Sequence, residues 1–279
     1  MMPTILITGA TSGLGEHLAN RFLYAGWTVL AHGRHSDKLA ALAHGAAQEN
    51  LRLYQADLGS LDEVRSLADT VAQENPRLDV LVNNAGVGYG PLGEGRQISK
   101  DGYELRLAVN YLAPMLLATL LMPTLAASRP ARIVNVGSTN QGPFDTTDVQ
   151  LENHYTRESA YQRSKMALAA GTFDLGHEHQ HSGIAVHCVH PATRMDTAMV
   201  RDSGVSPTTS IQQGADAVVQ AVTNPSLSTR TGLFFDGTTE TTAHADAYNP
   251  RFRAWLRSTT HHLLADRLST SHLQEQPWN

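Results

Sequence analysis

A chain of 279 residues with 41% hydrophobic side chains can bury one large core, so a folded enzyme is possible on size alone. The formal charge of -5 supplies no basic field for phosphate backbones and argues against nucleic acid as a partner. The single cysteine, Cys188, excludes an internal disulfide framework and fits a reducing compartment; in IAVHCVH it reads as a small buried strand residue.

The first strand is TILIT, from Thr4. No charged n-region or apolar h-region precedes it, so no secretory signal is expected. TGATSGLGEHLANRFL follows at once, with Gly9, Gly13 and Gly15 between strand and helix. That spacing lets the backbone turn tightly, approach a pyrophosphate and aim a helix N-terminus at its charge. TVLAHG and LRLYQAD read as the second and third strands, SLDEVRSLADTVAQ as a helix and DVLVNN as the fourth strand. The longest apolar run, from Tyr111, is interrupted by Pro114 and Pro123 and is shorter than the roughly 20 residues needed to span a bilayer. It reads as a buried or interface helix, and the chain as cytoplasmic with no membrane partner.

RIVNVGS, the fifth strand, ends at Ser138. Residues 139–157 are polar, turn-rich and too long for an ordinary connection, which predicts a functional loop. A helix then carries Tyr161 and Lys165 four positions apart, before the strands IAVHCVH and GLFFDG. Residues 240–279 read as a helical extension with Phe252, Trp255 and Leu256 on an apolar face. Apolar runs alternating with helical patterns predict a doubly wound parallel α/β sheet of the Rossmann type: about seven strands in the order 3-2-1-4-5-6-7, with helices on both faces. Neither a repeat nor a low-complexity linker is seen, so residues 1–279 form one expected domain.

TGATSGLG, NNAG at 83–86 and Tyr161-x-x-x-Lys165 occur in that order, with Asn110 and Ser138 between. Together they resemble the short-chain dehydrogenase/reductase family over residues 4 to about 235. The resemblance implies a nicotinamide dinucleotide held by Gly9, Thr11, Ser12, Gly13, Leu14 and Gly15 at the turn, and by Asp57 and Leu58 at the adenine corner. It adds Asn84, Ala85 and Gly86, then Tyr161 and Lys165, then Pro191 and Thr193 after the sixth strand. Asp57 has an alternative role as a cap for the next helix. Ala192 stands where the family commonly has glycine, and Thr193 and Thr197 compete for the contact with the carboxamide. NAD-preferring proteins place an acid about 20 residues beyond the glycine turn to hold the ribose 2′-hydroxyl. Here Arg34 occupies that neighbourhood, and NADP(H) is expected; the alternative is an arginine on a solvated loop.

Reducing a carbonyl by hydride needs a proton donor and a group that polarises the C=O. Tyr161 is the expected acid. Lys165, one helical turn on, is placed to lower the phenol's pKa and bind the nicotinamide ribose. By resemblance Ser138 hydrogen-bonds the carbonyl, Asn110 holds a water for a proton relay, and Asn83 stabilises the central sheet. His177, His179 and His181 in GHEHQHSG read as a solvated helix end, so no metal is expected.

These residues predict an NADPH-dependent reductase of a small-molecule ketone or aldehyde, or the reverse alcohol dehydrogenase. An epimerase or dehydratase and a non-catalytic NADP(H)-sensing protein are the alternatives. Met195, Met199 and Val200 suggest an adaptable apolar wall and a hydrophobic or ring-bearing substrate. Specificity is expected at about 192–215, with additions from the 139–157 loop and the C-terminal extension. The loop resembles that of members acting on retinoid- or steroid-like compounds, and a ketoreductase of specialised metabolism is equally compatible. By family analogy the helices at 103–127 and 158–178 carry a homodimer or homotetramer interface.

Overall fold

The computed structural model describes residues 2–44 and 48–269. In chain order they form β1 (Thr4–Ile7), α1 (Gly13–Tyr24), β2 (Thr28–Gly33), α2 (Ser36–His44), β3 (Leu51–Gln55), α3 (Leu61–Glu74), β4 (Val80–Asn83) and α4 (Leu105–Leu107). There follow α5 (Ala113–Ala126), β5 (Ala131–Val136), α6 (Arg157–Glu178), β6 (Ile184–His190), α7 (Ala198–Asp202), α8 (Ile211–Thr223), β7 (Leu233–Asp236), β8 (Thr239–Thr241) and α9 (Pro250–Leu268). The runs ILI, VLV and RIV make central strands because their side chains are buried on both sheet faces. Alternate residues serve opposite cores. Leu6, Leu30, Leu81 and Ile133 pack on the α3, α5, α6 and α9 side, while Ile5, Ile7, Val29, Val80 and Val82 pack on α1, α2 and α8.

Among the described residues the sheet has eight strands in the order β3-β2-β1-β4-β5-β6-β7-β8. The seven strands read from the sequence are all present and parallel, and β8 extends the expected order as an antiparallel partner of β7. All three residues of β8 (TET) are exposed, so it gave no apolar signal and was assigned to the helical extension. The order reverses between β1 and β4. Strand ends Ile7, Gly33, Asn83, Val136 and His190 therefore open on one crevice at the carboxyl edge of the sheet.

The prolines do not interrupt the long apolar helix. α4, a π-turn over Ala108–Leu112 and α5 run continuously from Leu105 to Ala126, 22 residues long and apolar enough to cross a membrane by length and composition. Of its most apolar window, 78% is buried inside the protein. The π-turn, in which the Ala113 N–H reaches the Ala108 carbonyl, widens the helix just ahead of Pro114 and relieves the ring clash expected there.

The extension folds back as α9. Leu256 and Leu264 are buried, and Phe252 and Trp255 each pack 5.7 Å from the Phe144 ring. Tyr111 Oη and Thr260 Oγ1 lie 2.7 Å apart, and Arg253 Nε donates to Asp174 at 2.7 Å, fastening α9 across α5 and α6. A homodimer or homotetramer through the helices at 103–127 and 158–178 would have to use whatever α9 leaves uncovered. Residues 270–279, the end of the expected extension, lie outside the described residues.

Candidate active site

The crevice is a cavity of about 1030 Å³. Gly9 and Gly13 take φ values of +65° and +53°, which only glycine adopts cheaply. A Cβ on Gly15 would collide with the Gly9 carbonyl, so strand and helix can meet this closely only without a side chain there. Asn84 Nδ2 donates to the Thr8 carbonyl at 2.8 Å, and Thr8 Oγ1 accepts the backbone N–H groups of Asn84 and Ala85 at 3.0 Å. This cradle of close-packed backbone at a helix N-terminus fits a pyrophosphate. Every residue expected on the cofactor side lines the cavity.

Arg34 is exposed at the end of β2, its Nε donating to His35 Nε2 at 3.2 Å; no carboxylate pairs with it among the described residues. Lys38 lines the same end. Asp57 does not cap α3: Ser60 does, accepting from the Glu63 N–H, while Asp57 Oδ1 accepts the Gly59 N–H at 2.9 Å. That leaves Asp57 on the cavity wall beside Leu58. Thr193 Oγ1 lies 3.1 Å from His190 Nε2, and Thr197 packs against Gly13, so both threonines reach the cavity from separate directions.

Ser138, Tyr161 and Lys165 meet on the cavity floor. The Ser138 hydroxyl is near enough to the Tyr161 phenol to favour its ionised form, and it accepts the Asn140 N–H at 3.0 Å. Lys165 Nζ donates to the Val136 carbonyl at 2.8 Å and sits 5.9 Å from the Tyr161 ring centre. The structure reverses the expected shift. Burial pushes the Tyr161 phenol up to about 12 against the opposing Ser138 hydroxyl, and burial lowers Lys165 to about 8. Lys165 does not offset that burial while its Nζ is turned to the Val136 carbonyl, so desolvation decides the direction of both shifts.

Asn110 lies just behind the wall, in the π-turn. Its Oδ1 accepts the Val87 N–H at 2.7 Å, and its Nδ2 donates to the Val87 carbonyl at 2.9 Å and to Ser164 Oγ at 3.0 Å. The side chain fixes the backbone that follows NNAG, and its Oδ1 lies 3.1 Å from where a Cβ on Gly86 would stand, a point 3.6 Å from Lys165 Nζ. Asn83 Nδ2 donates to Asn135 Oδ1 at 2.8 Å, joining β4 to β5 as expected of a sheet-stabilising residue.

From the 139–157 loop only Thr139 and Asn140 line the cavity, and α9 contributes nothing to it among the described residues. Of the expected additions to the substrate site, the loop thus supplies two residues and the described part of the extension none. The rest of the loop is a brace: Arg96 Nε donates to the Gln150 carbonyl at 2.8 Å, and Phe144 packs under α9. The segment after β6 does line the cavity through Met195, Met199 and Val200, with Met199 crossing over Gly86 and Gly88.

The sequence reading passed over His32, Tyr89 and Arg106. A histidine inside the apolar VLAHG and an arginine inside the apolar ELRLAVN were the available signals; Tyr89 had none. His32 Nδ1 accepts the Gly9 N–H at 3.2 Å, which makes Nε2 the donor to the Ala56 carbonyl at 3.0 Å. Protonation would set two N–H groups face to face, and burial lowers His32 to about 4; His187 is lowered to about 4 for the same reason. The unfolded chain takes up these protons near pH 6.5 and the folded chain only near 4. Stability is therefore complete above pH 6.5 and falls between those values, by roughly 3 kcal/mol per histidine. Urea midpoints measured at pH 7 and pH 4.5 should show the drop, and an unchanged midpoint would contradict it.

A profile described as short chain dehydrogenase matches residues 3–206. Mouse retinol dehydrogenase 13 is 34% identical over 209 residues, 72% of this chain and 61% of the relative; human retinol dehydrogenase 12 is 32% identical over 207 residues, 72% and 64%. The match thus spans about three fifths of those relatives' length. Among solved structures, an uncharacterised protein from Mycobacterium paratuberculosis superposes with a TM-score of 0.79 at 26% identity, over 94% of this chain and 93% of that one. A short chain dehydrogenase from Shigella flexneri complexed with NADP gives 0.66 at 25%, over 85% and 97%. Profile, relatives and sheet order agree with a crevice that fits a nicotinamide dinucleotide, and the chain belongs to the short chain dehydrogenase family.

Proposed function

We propose that the chain reduces a hydrophobic ketone or aldehyde with NADPH, the reverse alcohol oxidation using the same residues. The observation that carries this reading is that Ser138, Tyr161 and Lys165, the last one helical turn beyond the tyrosine, meet on one wall of a cavity continuous with the glycine turn. When bound, the nicotinamide supplies hydride to the carbonyl carbon. Ser138 donates to the carbonyl oxygen, and Tyr161 gives its proton to that oxygen as charge develops there. Lys165 offsets the charge left on the phenolate, which solvent reprotonates. An alkoxide is a stronger base than a phenolate, so a phenol held near 12 still gives up its proton downhill.

The apolar wall of Met195, Met199 and Val200, together with relatives named as retinol dehydrogenases, supports a long or ring-bearing hydrophobic substrate. The NADP(H) reading rests on Arg34, which lines the cavity at the end of β2 with no carboxylate paired to it among the described residues. The test follows NADPH absorbance over a panel of aliphatic, aromatic and polyene aldehydes and ketones. No turnover on any of them, in protein shown to bind NADPH, would refute the reading. Arg34→Ala should raise the KM for NADPH about 10- to 150-fold, the worth of one charge-assisted hydrogen bond, and change that for NADH about twofold at most. Equal losses with both cofactors would remove Arg34 from this role.

A further inference from the structure

We propose that Tyr89 is a specificity-determining residue, its ring forming the wall beside the reacting carbonyl and favouring substrates with an aromatic ring or conjugated chain on the carbonyl carbon. The proposal rests on the reductase reading of the site. Tyr89 lines the catalytic cavity, and its ring centre lies 4.8 Å from that of Tyr161 at 58°. That contact leaves no room for a substrate between the two rings. A carbonyl oxygen reaching Ser138 and Tyr161 must therefore bring its neighbouring carbons alongside Tyr89.

The ring is held there by its backbone and by its hydroxyl. Arg106 donates to the Gly88 carbonyl at 2.8 Å and the Tyr89 carbonyl at 2.7 Å, and Arg157 donates to the Gly90 carbonyl at 2.7 Å. Three successive carbonyls are thus taken by two arginine side chains. At the other end the Tyr89 hydroxyl accepts from Asn140 Nδ2, and Asn140 is itself fixed by Gln162 Nε2 at 2.8 Å and by its N–H to Ser138 Oγ. With the hydroxyl oxygen anchored by Asn140 and the backbone held by the arginines, the ring is fixed as part of the cavity wall. Met199 supplies the adjoining wall, its Cγ 2.6 Å from where a Cβ on Gly88 would stand. Aromatic and thioether surfaces both reward an unsaturated partner beyond simple area burial.

The experiment compares matched pairs in wild-type, Tyr89→Phe and Tyr89→Leu proteins. Reduction of acetophenone and cyclohexyl methyl ketone with NADPH gives a ratio of kcat/KM, and calorimetric binding of benzamide and cyclohexanecarboxamide to the NADP-loaded protein gives a ratio of affinities. Wild type and Tyr89→Phe should favour the aryl member about 5- to 10-fold, expressed mainly in KM, and Tyr89→Leu should bring both ratios to within about twofold of unity. Each ratio is internal to one sample, so a partly unfolded variant does not distort it. If Tyr89→Leu keeps the wild-type ratios, or Tyr89→Phe loses them as fully as Leu, the proposal is overturned. The amides are not reduced. A protein that turns over neither ketone but shows the Tyr89-dependent binding ratio would refute the reductase reading and leave this one standing.

Discussion

Tyr161→Phe should lower kcat for carbonyl reduction by about 10²-fold or more and leave NADPH affinity within about threefold of wild type. The substitution removes one oxygen and keeps the ring, so the contact with Tyr89 persists while the proton and the polar contact with Ser138 are lost. Ser138 remains to polarise the carbonyl, which is why the loss should fall short of abolition. The pH profile gives an independent check. With the phenol near 12, its acid form is fully populated through neutral pH, and reduction should not depend on its titration. Oxidation needs the phenolate, so its rate should climb with pH up to about pH 10 and beyond. Near-normal reduction by the Phe variant, or an oxidation rate flat from pH 7 to 10, would take Tyr161 out of the acid–base role.

The sequence carried the frame of this site because its parts depend on backbone chemistry that only certain residues allow. Gly9 and Gly13 were legible from the positive φ a strand-to-helix turn needs, and the strand ends placed Ser138 and Asn84 on one edge. What stayed hidden is long-range. Asn110 was expected to hold a relay water; its clamp on the Val87 backbone was not legible, since nothing in its neighbours showed that a π-turn would point it there. The burial that lifts Tyr161 above the ordinary phenol range comes from packing and could not be inferred from a four-residue spacing. Residues 139–157 looked like a substrate loop for their polarity and length; beyond Thr139 and Asn140 they instead hold α9 through Phe144 and the segment after β4 through the Gln150 carbonyl and the Arg157 side chain. β8 was invisible because an exposed edge strand of three polar residues has no pattern to read.

Arg106→Met should cost about 3–5 kcal/mol of stability, the usual penalty for breaking a buried ion pair from one side. At a few degrees per kcal/mol for a chain of this size, the midpoint should fall by about 10 °C. Arg106 is fully buried, and Glu104, 3.5 Å from Nη1, is 1% exposed. Removing the guanidinium strands that carboxylate, leaves the Gly88 and Tyr89 carbonyls without donors, and frees Tyr155, whose hydroxyl accepts from Nη1 at 2.9 Å. Adding Glu104→Gln should recover part of the loss, because the stranded group then carries no charge; its remaining bond, Oε2 to the Leu107 N–H at 2.8 Å, survives if the amide oxygen takes that place. By contrast the Arg201–Asp196 pair, with both side chains more than half exposed, should contribute less than about 1 kcal/mol. Thermal melts of the single and double variants separate these cases, and a loss under about 1 kcal/mol for Arg106→Met would show that the network is relaxed by water. The same variant should loosen the wall at Tyr89 before it disturbs the glycine turn, since Arg106 bonds the backbone of 88 and 89 and makes no hydrogen bond to residues 9–15. Preference among carbonyl substrates should therefore weaken while NADPH affinity holds, which ties this buried charge to substrate choice rather than to the cofactor.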